Sequence, residues 1–178
     1  MTDHRFLLAG FGGQGVLFFG KVIATAGLLS GKEVSWLPSY GPEMRGGTCN
    51  CGVCLSDAPI GSPLVAEPTA LVAMNLPSLQ RFIDVVEPGG LVLYDSSMIA
   101  EPPARTDVTV LALPASRMAV GEGLMGLANM ILLGRLFAEM GFCAPEQLDK
   151  GLVKSVPARK AELLELNRKA IKLGMESK

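Results

Sequence analysis

The sequence predicts an α/β protein: a single doubly wound domain over residues 1–178, with a mostly parallel sheet and helices on both faces. Three observations lead to this prediction. Short apolar segments of strand length alternate with longer helical segments along the chain. A glycine-rich turn joins the first strand to the first helix. No linker, internal repeat or low-complexity tract divides the chain into separate parts.

The N-terminal part is predicted to form a strand–helix–strand unit. Residues 5–9 are short and mostly apolar, as expected for a strand that is buried on both faces. Residues 16–30 carry apolar side chains around most of a helix, which ends before Gly31. Residues 33–37 form the second strand. Because a single helix connects the two strands, the second is expected to run parallel to the first through a right-handed crossover.

The rest of the chain continues this alternation. Residues 38–47 contain three glycines and two prolines, so they are predicted to form a loop. Further strands are predicted at residues 48–56, 70–74, 91–94 and 108–113, and further helices at residues 79–86, 124–140, 145–150 and 157–173.

The composition is apolar for a protein of this size, with 49% hydrophobic and only 19% charged residues. A membrane protein would explain this, but apolar stretches such as residues 124–140 are interrupted by glycine, asparagine and charged residues. None of them reaches the roughly 20 uninterrupted apolar residues that a spanning helix needs. We therefore expect no membrane span, and an unusually large buried fraction that includes contacts with other subunits.

Charge and cysteine content restrict partners and compartment. The net charge is −1 and no basic run precedes the final helix, which argues against nucleic acid as the main partner. The first five residues lead directly into a strand, so no signal peptide is expected. The four cysteines are expected to be free thiols in a reducing compartment, which predicts a cytoplasmic protein.

Gly10, Gly12 and Gly15 satisfy the spacing G-x-G-x-x-G between a strand and a helix. Glycines at these positions let backbone N–H groups approach a phosphate at the positive end of the helix. A dinucleotide site also needs an acidic residue after the second strand, but residues 36–39 read Trp-Leu-Pro-Ser, which disfavours NAD. Two interpretations remain: another phosphate-bearing ligand, or glycines that only allow close packing of strand and helix.

The loop at residues 39–47 is expected to leave the carboxyl end of the second strand, beside the glycine loop. Tyr40, Glu43 and Arg45 bring an aromatic ring, an acid and a planar cation into this short segment. Glu43 and Arg45 could form an ion pair within the loop. Alternatively, Arg45 faces an anionic ligand.

Residues 9–16 (Ala-Gly-Phe-Gly-Gly-Gln-Gly-Val) and 38–48 (Pro-Ser-Tyr-Gly-Pro-Glu-Met-Arg-Gly-Gly-Thr) resemble the two signature loops of the gamma subunit of 2-oxoacid:ferredoxin oxidoreductases. The same module forms the gamma domain of pyruvate:ferredoxin oxidoreductase. The run at residues 39–47 is the most specific part of the match. Further segments agree in the same order along nearly the whole chain: residues 56–57, 60–63, 88–90, 94–96, 128–130 and 133–134.

The resemblance implies that this chain is a non-autonomous subunit of an oxidoreductase. Enzymes of the family oxidatively decarboxylate a 2-oxoacid, pass two electrons through iron–sulfur clusters to ferredoxin and form an acyl-CoA. It implies alpha, beta and ferredoxin-like delta partner subunits, with thiamine diphosphate, magnesium and the iron–sulfur clusters held by these partners. Ferredoxin is the implied electron acceptor of the complex.

The resemblance also implies that the gamma subunit contacts coenzyme A near the entrance of the active site. No residue of this chain is expected to be catalytic or to bind a metal. The residues expected to face coenzyme A and the subunit interface are Gly12, Gly13, Gln14, Gly15, Ser39, Tyr40, Gly41, Glu43 and Arg45.

The substrate is predicted only by class. The short separate chain and residues 36–39 resemble the 2-oxoglutarate type most, with branched-chain 2-oxoacids next, ahead of pyruvate and indolepyruvate. The alternative function is a non-catalytic scaffold domain that binds a phosphate group or a nucleotide. Without partners, the chain is expected to self-associate, for example as a homodimer, through its apolar contact surfaces.

Several polar residues have alternative interpretations. Cys49, Cys51 and Cys54 lie in a predicted strand with the spacing C-x-C-x-x-C, so we expect buried thiols and no metal site. His4 is expected to be solvated. Asp95 is expected in a strand-end turn with the two serines that follow it, although it could act as a base. Asn129 is expected to hydrogen-bond the backbone of a nearby loop, with ligand contact as the alternative.

Overall fold

A computed structural model describes residues 3–40 and 48–177, with only the backbone of Tyr40. Its six strands form one sheet in the order β2-β3-β1-β4-β5-β6. Five of the six predicted strands lie at or near their predicted positions, and the second, β2, runs three residues further than expected. The strands are β1 His4–Phe11, β2 Glu33–Tyr40, β3 Thr48–Ser56, β4 Ala70–Ala73, β5 Leu91–Asp95 and β6 Thr109–Leu113.

Four neighbouring strands, β1, β4, β5 and β6, are parallel, which confirms the mostly parallel sheet. The predicted direction of β2 is also confirmed, because β1 and β2 both run antiparallel to β3. The two strands are not neighbours, however. The first helix carries the chain across to β2. The chain then turns back as β3, which lies between β1 and β2 and pairs with both.

The first predicted helix agrees closely with the structure, and the other four differ in their bounds. The helix expected at residues 79–86 lies at Leu76–Phe82 and continues as a 3-10 turn, the one expected at 145–150 continues to Ser155, and the one expected at 157–173 begins at Leu163 after a 3-10 turn. The predicted helix at residues 124–140 begins later, because Gly123 and Gly126 adopt left-handed φ values of 68° and 82°. A short helix before these glycines, α3, was not predicted. The helices are α1 Val16–Leu29, α2 Leu76–Phe82, α3 Ala115–Gly121, α4 Ala128–Met140, α5 Pro145–Ser155 and α6 Leu163–Glu176, with 3-10 turns at Ile83–Val85 and Ala158–Lys160.

Alternate residues of β1 point into two separate hydrophobic clusters. Phe6 and Leu8 belong to the larger cluster, which joins one face of the sheet to α1, α3, α4, α5 and α6. Leu7 belongs to the smaller cluster, where α2 and the following 3-10 turn pack on the other face. Helices on both faces are therefore confirmed, but the coverage is unequal, and the face that carries α2 is covered by less helix.

His4 is buried, so the expectation that it is solvated was wrong. It is part of β1, and its ring stacks on Phe6 with 5.6 Å between the ring centroids. Burial disfavours the charged imidazolium and lowers the pKa of His4, and the nearby Lys32 acts in the same direction. No helix within residues 3–40 and 48–177 combines the length and the apolar composition that a membrane span requires.

Glycines let α4 and α6 approach each other backbone to backbone. A Cβ atom on Gly134 would lie 1.9 Å from the Ile171 carbonyl oxygen, and one on Gly174 would lie 1.8 Å from the Ile131 carbonyl oxygen. Any side chain at either position would therefore force the two helices apart.

We predict that Gly174→Ala lowers the free energy of unfolding by about 2–3 kcal/mol, because the added methyl group meets rigid backbone. Urea denaturation followed by circular dichroism measures the change. Gly121→Ala is the matched control, since it lies at the end of α3 with no atom within 4 Å of the new Cβ. It should leave stability unchanged or raise it by up to about 1 kcal/mol. Equal stability of the two variants would contradict the close helix contact.

Candidate anion-binding edge of the sheet

The two predicted loops leave the sheet at the same edge. Phe11, the last residue of β1, pairs with Thr48 of β3. Tyr40, the last residue of β2, pairs with the next residue of β3, Cys49. The structure thus brings the glycine loop and the end of β2 to either side of the start of β3. Of the predicted site residues, Ser39 is exposed in β2, while Gly41, Glu43, Arg45 and the side chain of Tyr40 lie outside the described part.

The glycine loop requires glycine at two positions for different reasons. Gly13 has a φ of 96°, and a Cβ atom there would meet nothing within 4 Å, so this side of the loop is open. Gly15 has a φ of 77°, and a Cβ atom there would lie 2.3 Å from Nδ2 of Asn129. The loop is therefore open on one side and tightly packed on the other.

Gln14 is turned into the protein. Its Oε1 accepts a 2.7 Å hydrogen bond from the Phe11 N–H, and its Nε2 donates to the Met74 carbonyl oxygen at 3.3 Å. Nδ2 of Asn75 donates to the same Oε1 at 3.4 Å. Gln14 thus connects the glycine loop to the end of the neighbouring strand β4, and its amide positions the loop backbone.

Asn129 holds the loop from the other side. It lies in the first turn of α4 and is only 4% exposed. Its Nδ2 donates to the Gly15 carbonyl oxygen at 3.1 Å, which confirms the expected hydrogen bond to a loop backbone. Its buried Oδ1 has no hydrogen-bond partner among the described residues. A buried amide oxygen without a partner is unusual in a folded protein.

The first turn of α1 presents N–H groups without a side-chain cap. Gly15 occupies the N-cap position, no side chain accepts a hydrogen bond there, and the first turn carries no acidic residue. The first N–H groups of a helix have no acceptor within the helix and carry the positive end of its dipole. An anion at this position would accept hydrogen bonds from these N–H groups and would be attracted by the positive end of the dipole.

A cavity of about 240 Å³ lies beside the glycine loop, between β4, α3 and the segment that joins α3 to α4. This connecting segment is a part of the candidate site that the sequence did not reveal. It carries Met125, which is 80% exposed, and follows Val120, which is 66% exposed. Only its two glycines, Gly123 and Gly126, and Gly121 at the end of α3 were a signal in the sequence. The cavity is lined by Gly13, Gln14, Met74, Ser116, Ala119, Val120, Met125, Gly126 and Ala128.

Asp95, at the end of β5, is fully buried, and its carboxylate accepts three hydrogen bonds. Its Oδ1 accepts from the Ser97 N–H at 2.9 Å, and its Oδ2 accepts from the N–H and the hydroxyl of Ser116. The expected strand-end turn is confirmed for Ser97, whereas Ser116 of α3 is an additional partner. Asp95 therefore fixes α3 to the sheet.

The closely spaced cysteines are buried, as predicted. Cys49 and Cys51 belong to the larger hydrophobic cluster, and Cys54 is also buried. All four cysteines are free thiols. Among the described residues, no three histidine, cysteine or acidic side chains converge as a group that could hold a metal ion. Burial raises the pKa of Cys51 to about 12 and that of Cys143 to about 11.

The sequence profile of the pyruvate ferredoxin/flavodoxin oxidoreductase family matches residues 5–177. This chain belongs to that family. The predicted resemblance to its gamma-subunit module is thereby confirmed, and so is the assignment to an oxidoreductase family.

Two relatives show how the family module occurs in other proteins. Subunit VorA of a ketoisovalerate oxidoreductase from Methanothermobacter thermautotrophicus is 39% identical over 174 residues, which make up 98% of this chain and 36% of VorA. The 2-oxoglutarate synthase subunit KorC from Methanocaldococcus jannaschii is 35% identical over 153 residues, which make up 84% of this chain and 82% of KorC. This chain thus spans about a third of the length of VorA.

Two solved structures share the fold. The gamma subunit of a keto/oxoacid ferredoxin oxidoreductase from Geobacter sulfurreducens matches with a TM-score of 0.86 at 28% identity, over 99% of this chain and 96% of its own. A 2-oxoglutarate:ferredoxin oxidoreductase from Magnetococcus marinus, with 2-oxoglutarate, coenzyme A and succinyl-CoA bound, matches with a TM-score of 0.87 at 24% identity. That match covers 98% of this chain and 31% of the other chain, and it concerns the fold alone.

We predict that Gly15→Ala destabilises the protein more than Gly13→Ala, by at least about 1 kcal/mol in the free energy of unfolding. Both substitutions place alanine in a left-handed conformation, but only the one at position 15 collides with Asn129. Removing that side chain, in the double variant Gly15→Ala with Asn129→Ala, should recover part of the loss. Urea denaturation measures all three variants, and equal losses for the two single variants would show that Asn129 does not contact the loop.

We also predict that Cys51 and Cys143 of the native protein react slowly with iodoacetamide at pH 8. The thiolate is the reactive form, and a raised pKa leaves little thiolate at that pH. Mass spectrometry of the alkylated peptides measures the rates. In urea, where burial is lost, all four thiols should react at ordinary rates. Rapid alkylation of Cys51 in the native protein would contradict its position in the core.

Proposed function

We propose that this chain is the gamma subunit of a thiamine-diphosphate-dependent 2-oxoacid:ferredoxin oxidoreductase and contributes to coenzyme A binding and active-site closure. The supporting observation is the shared sheet edge, where the uncapped first turn of α1 and the end of β2 flank the start of β3. The chain acts as one domain over residues 1–178 in the cytoplasm. It contributes no catalytic residue.

Coenzyme A suits this edge because it carries a diphosphate and a separate 3′-phosphate. The N–H groups of the first turn of α1 are donors for one phosphate group, and Gly13 leaves room for it to approach the backbone. Arg45, in the segment that follows β2, adds a charge-assisted contact. The coenzyme A bound in the Magnetococcus marinus enzyme supports this choice of ligand, since that enzyme contains the same fold.

The partners are an alpha and a beta subunit, a ferredoxin-like delta subunit, and ferredoxin as the electron acceptor. Thiamine diphosphate, with its magnesium ion, would supply the decarboxylation chemistry, and the partner subunits would hold both together with the iron–sulfur clusters. The length of VorA supports a larger partner, because about two thirds of that relative lies outside the match. Exposed Met125 and Val120 offer apolar contact area at the same edge. An isolated chain would self-associate through such surfaces.

The 2-oxoacid is 2-oxoglutarate or a branched-chain 2-oxoacid. KorC supports the first, since it is a short chain that this protein matches over most of its length. VorA supports the second, through its higher identity of 39%. The thiamine-binding partners determine the choice, because their pocket encloses the 2-oxoacid. An assay of the assembled complex with both acids, pyruvate and indolepyruvate should give the highest kcat/KM for one of the first two.

A scaffold domain that binds a phosphate group without taking part in an enzyme is the second candidate, because the glycine loop alone would serve it equally well. Co-purification separates the two functions. A tagged chain expressed with its neighbouring genes should retain thiamine-diphosphate-containing and iron-containing subunits if it is a gamma subunit. A chain that is recovered without them would favour the scaffold.

We predict that a photoreactive coenzyme A analogue labels this chain in the assembled complex, within residues 12–15 or 39–47. Excess unlabelled coenzyme A should prevent the labelling, and peptide mass spectrometry locates it. Arg45→Ala should weaken coenzyme A binding about tenfold in isothermal titration, as expected for the loss of one charged hydrogen-bond partner. Labelling confined to other subunits would refute the proposed role of this edge.

A further inference from the structure

Arg81 differs from most arginines of the described chain in having no ion-pair partner there. Four others pair with a carboxylate: Arg5 with Glu87, Arg105 with Asp107, Arg135 with Glu139, and Arg168 with Asp149 and Glu165. An exposed arginine needs no partner for stability, so the lack of one gains meaning only from its position.

That position is the sheet edge that carries the glycine loop. Arg81 lies in the last turn of α2, and its Nη1 is 3.5 Å from Oγ1 of Thr48, a distance at the limit of a hydrogen bond. Thr48 is the first residue of β3 and pairs with Phe11, the last residue before Gly12. The Arg81 guanidinium therefore reaches the strand ends that border the glycine loop, from the face of the sheet that carries α2, opposite to α1.

The exposed side chain of Arg81 also contacts an aromatic ring. Its guanidinium carbon lies 5.3 Å from the centroid of the Phe82 ring, in a cation–π contact. Phe82 in turn packs against the smaller hydrophobic cluster. A guanidinium that is already oriented loses less conformational freedom when it binds an anion than a freely moving side chain does.

In the first turn of α1 and at the end of β5, the described chain offers no accessible carboxylate that would compete for Arg81. The first turn of α1 carries no acidic residue. The strand-end carboxylate of Asp95 is fully buried and accepts three hydrogen bonds from Ser97 and Ser116. The positive end of α1 and the Arg81 guanidinium are thus two separate anion-attracting groups on opposite sides of one loop.

We propose that Arg81 is a ligand-binding residue that contacts one phosphate group of coenzyme A while the first turn of α1 binds another. This inference rests on the proposed coenzyme A site and adds a specific cation to it. A ligand with two separated phosphate groups matches two separated donors, and a planar guanidinium binds phosphate through two parallel hydrogen bonds. A ligand with a single anionic group would leave one of the two donors without a partner.

The test uses Arg81→Gln in the assembled complex, with isothermal titration of coenzyme A, dephospho-coenzyme A and pantetheine. Arg81→Gln should weaken coenzyme A binding about tenfold. Arg81→Lys keeps the positive charge but lacks the planar guanidinium, so its affinity for coenzyme A should fall by less. The control is Arg159→Gln, because Arg159 also has no described ion pair but lies on the turn between α5 and α6. Arg159→Gln should bind coenzyme A with wild-type affinity.

The three ligands identify the contact. If Arg81→Gln weakens the binding of coenzyme A but not of dephospho-coenzyme A, Arg81 contacts the 3′-phosphate. If it weakens the binding of both equally, Arg81 contacts the diphosphate. Pantetheine, which has no phosphate, should be unaffected by either variant. Three results would overturn the proposal. Arg81→Gln could weaken pantetheine binding as much as coenzyme A binding, it could bind coenzyme A with wild-type affinity, or it could fail to assemble with its partners. If the photoreactive analogue still labels residues 12–15 or 39–47, only the role of Arg81 fails and the proposed function remains.

Discussion

The short reversal between β1 and α1 is the constraint on which the candidate site depends. Four residues carry the chain from a mostly buried strand into a helix, and two amide side chains fix their backbone. Gln14 connects the loop to the end of β4, and Asn129 connects it to the first turn of α4. Because both amides bind on the inner side, the open side at Gly13 and the first turn of α1 remain available. The loop is thus preorganised before any ligand arrives.

The position of β3 is the second feature that shapes this edge. By filling the space between β1 and β2, it places Tyr40 and Thr48 on neighbouring strands at one end of the sheet. These residues bound the segment 41–47, so both of its attachment points lie beside the glycine loop. A sheet with β1 and β2 as direct neighbours would have left no strand start at this position for Arg81 to reach.

The two faces of the sheet are covered unequally by helices. Five helices pack on one face, whereas α2 and a 3-10 turn pack on the other. Large apolar side chains, including Met125 and Val120, remain exposed next to the candidate site. Relatives differ in whether this module is about a third of a longer chain, as in VorA, or most of a short one, as in KorC. When such a module is a separate chain, non-covalent contacts must replace the covalent connection.

Local patterns in the sequence were sufficient for most strands, for the parallel direction of β1 and β2, for the glycine loop and for the family. These features depend on residue order over short distances, such as an apolar run, a glycine spacing or a signature segment. The tertiary structure decided the insertion of β3, the start of α4 at Ala128, the burial of His4, the inward amide of Gln14 and the place of Arg81. Each of these depends on contacts between residues far apart in the chain, or on backbone angles at glycines, and neither leaves a local pattern that a single sequence shows.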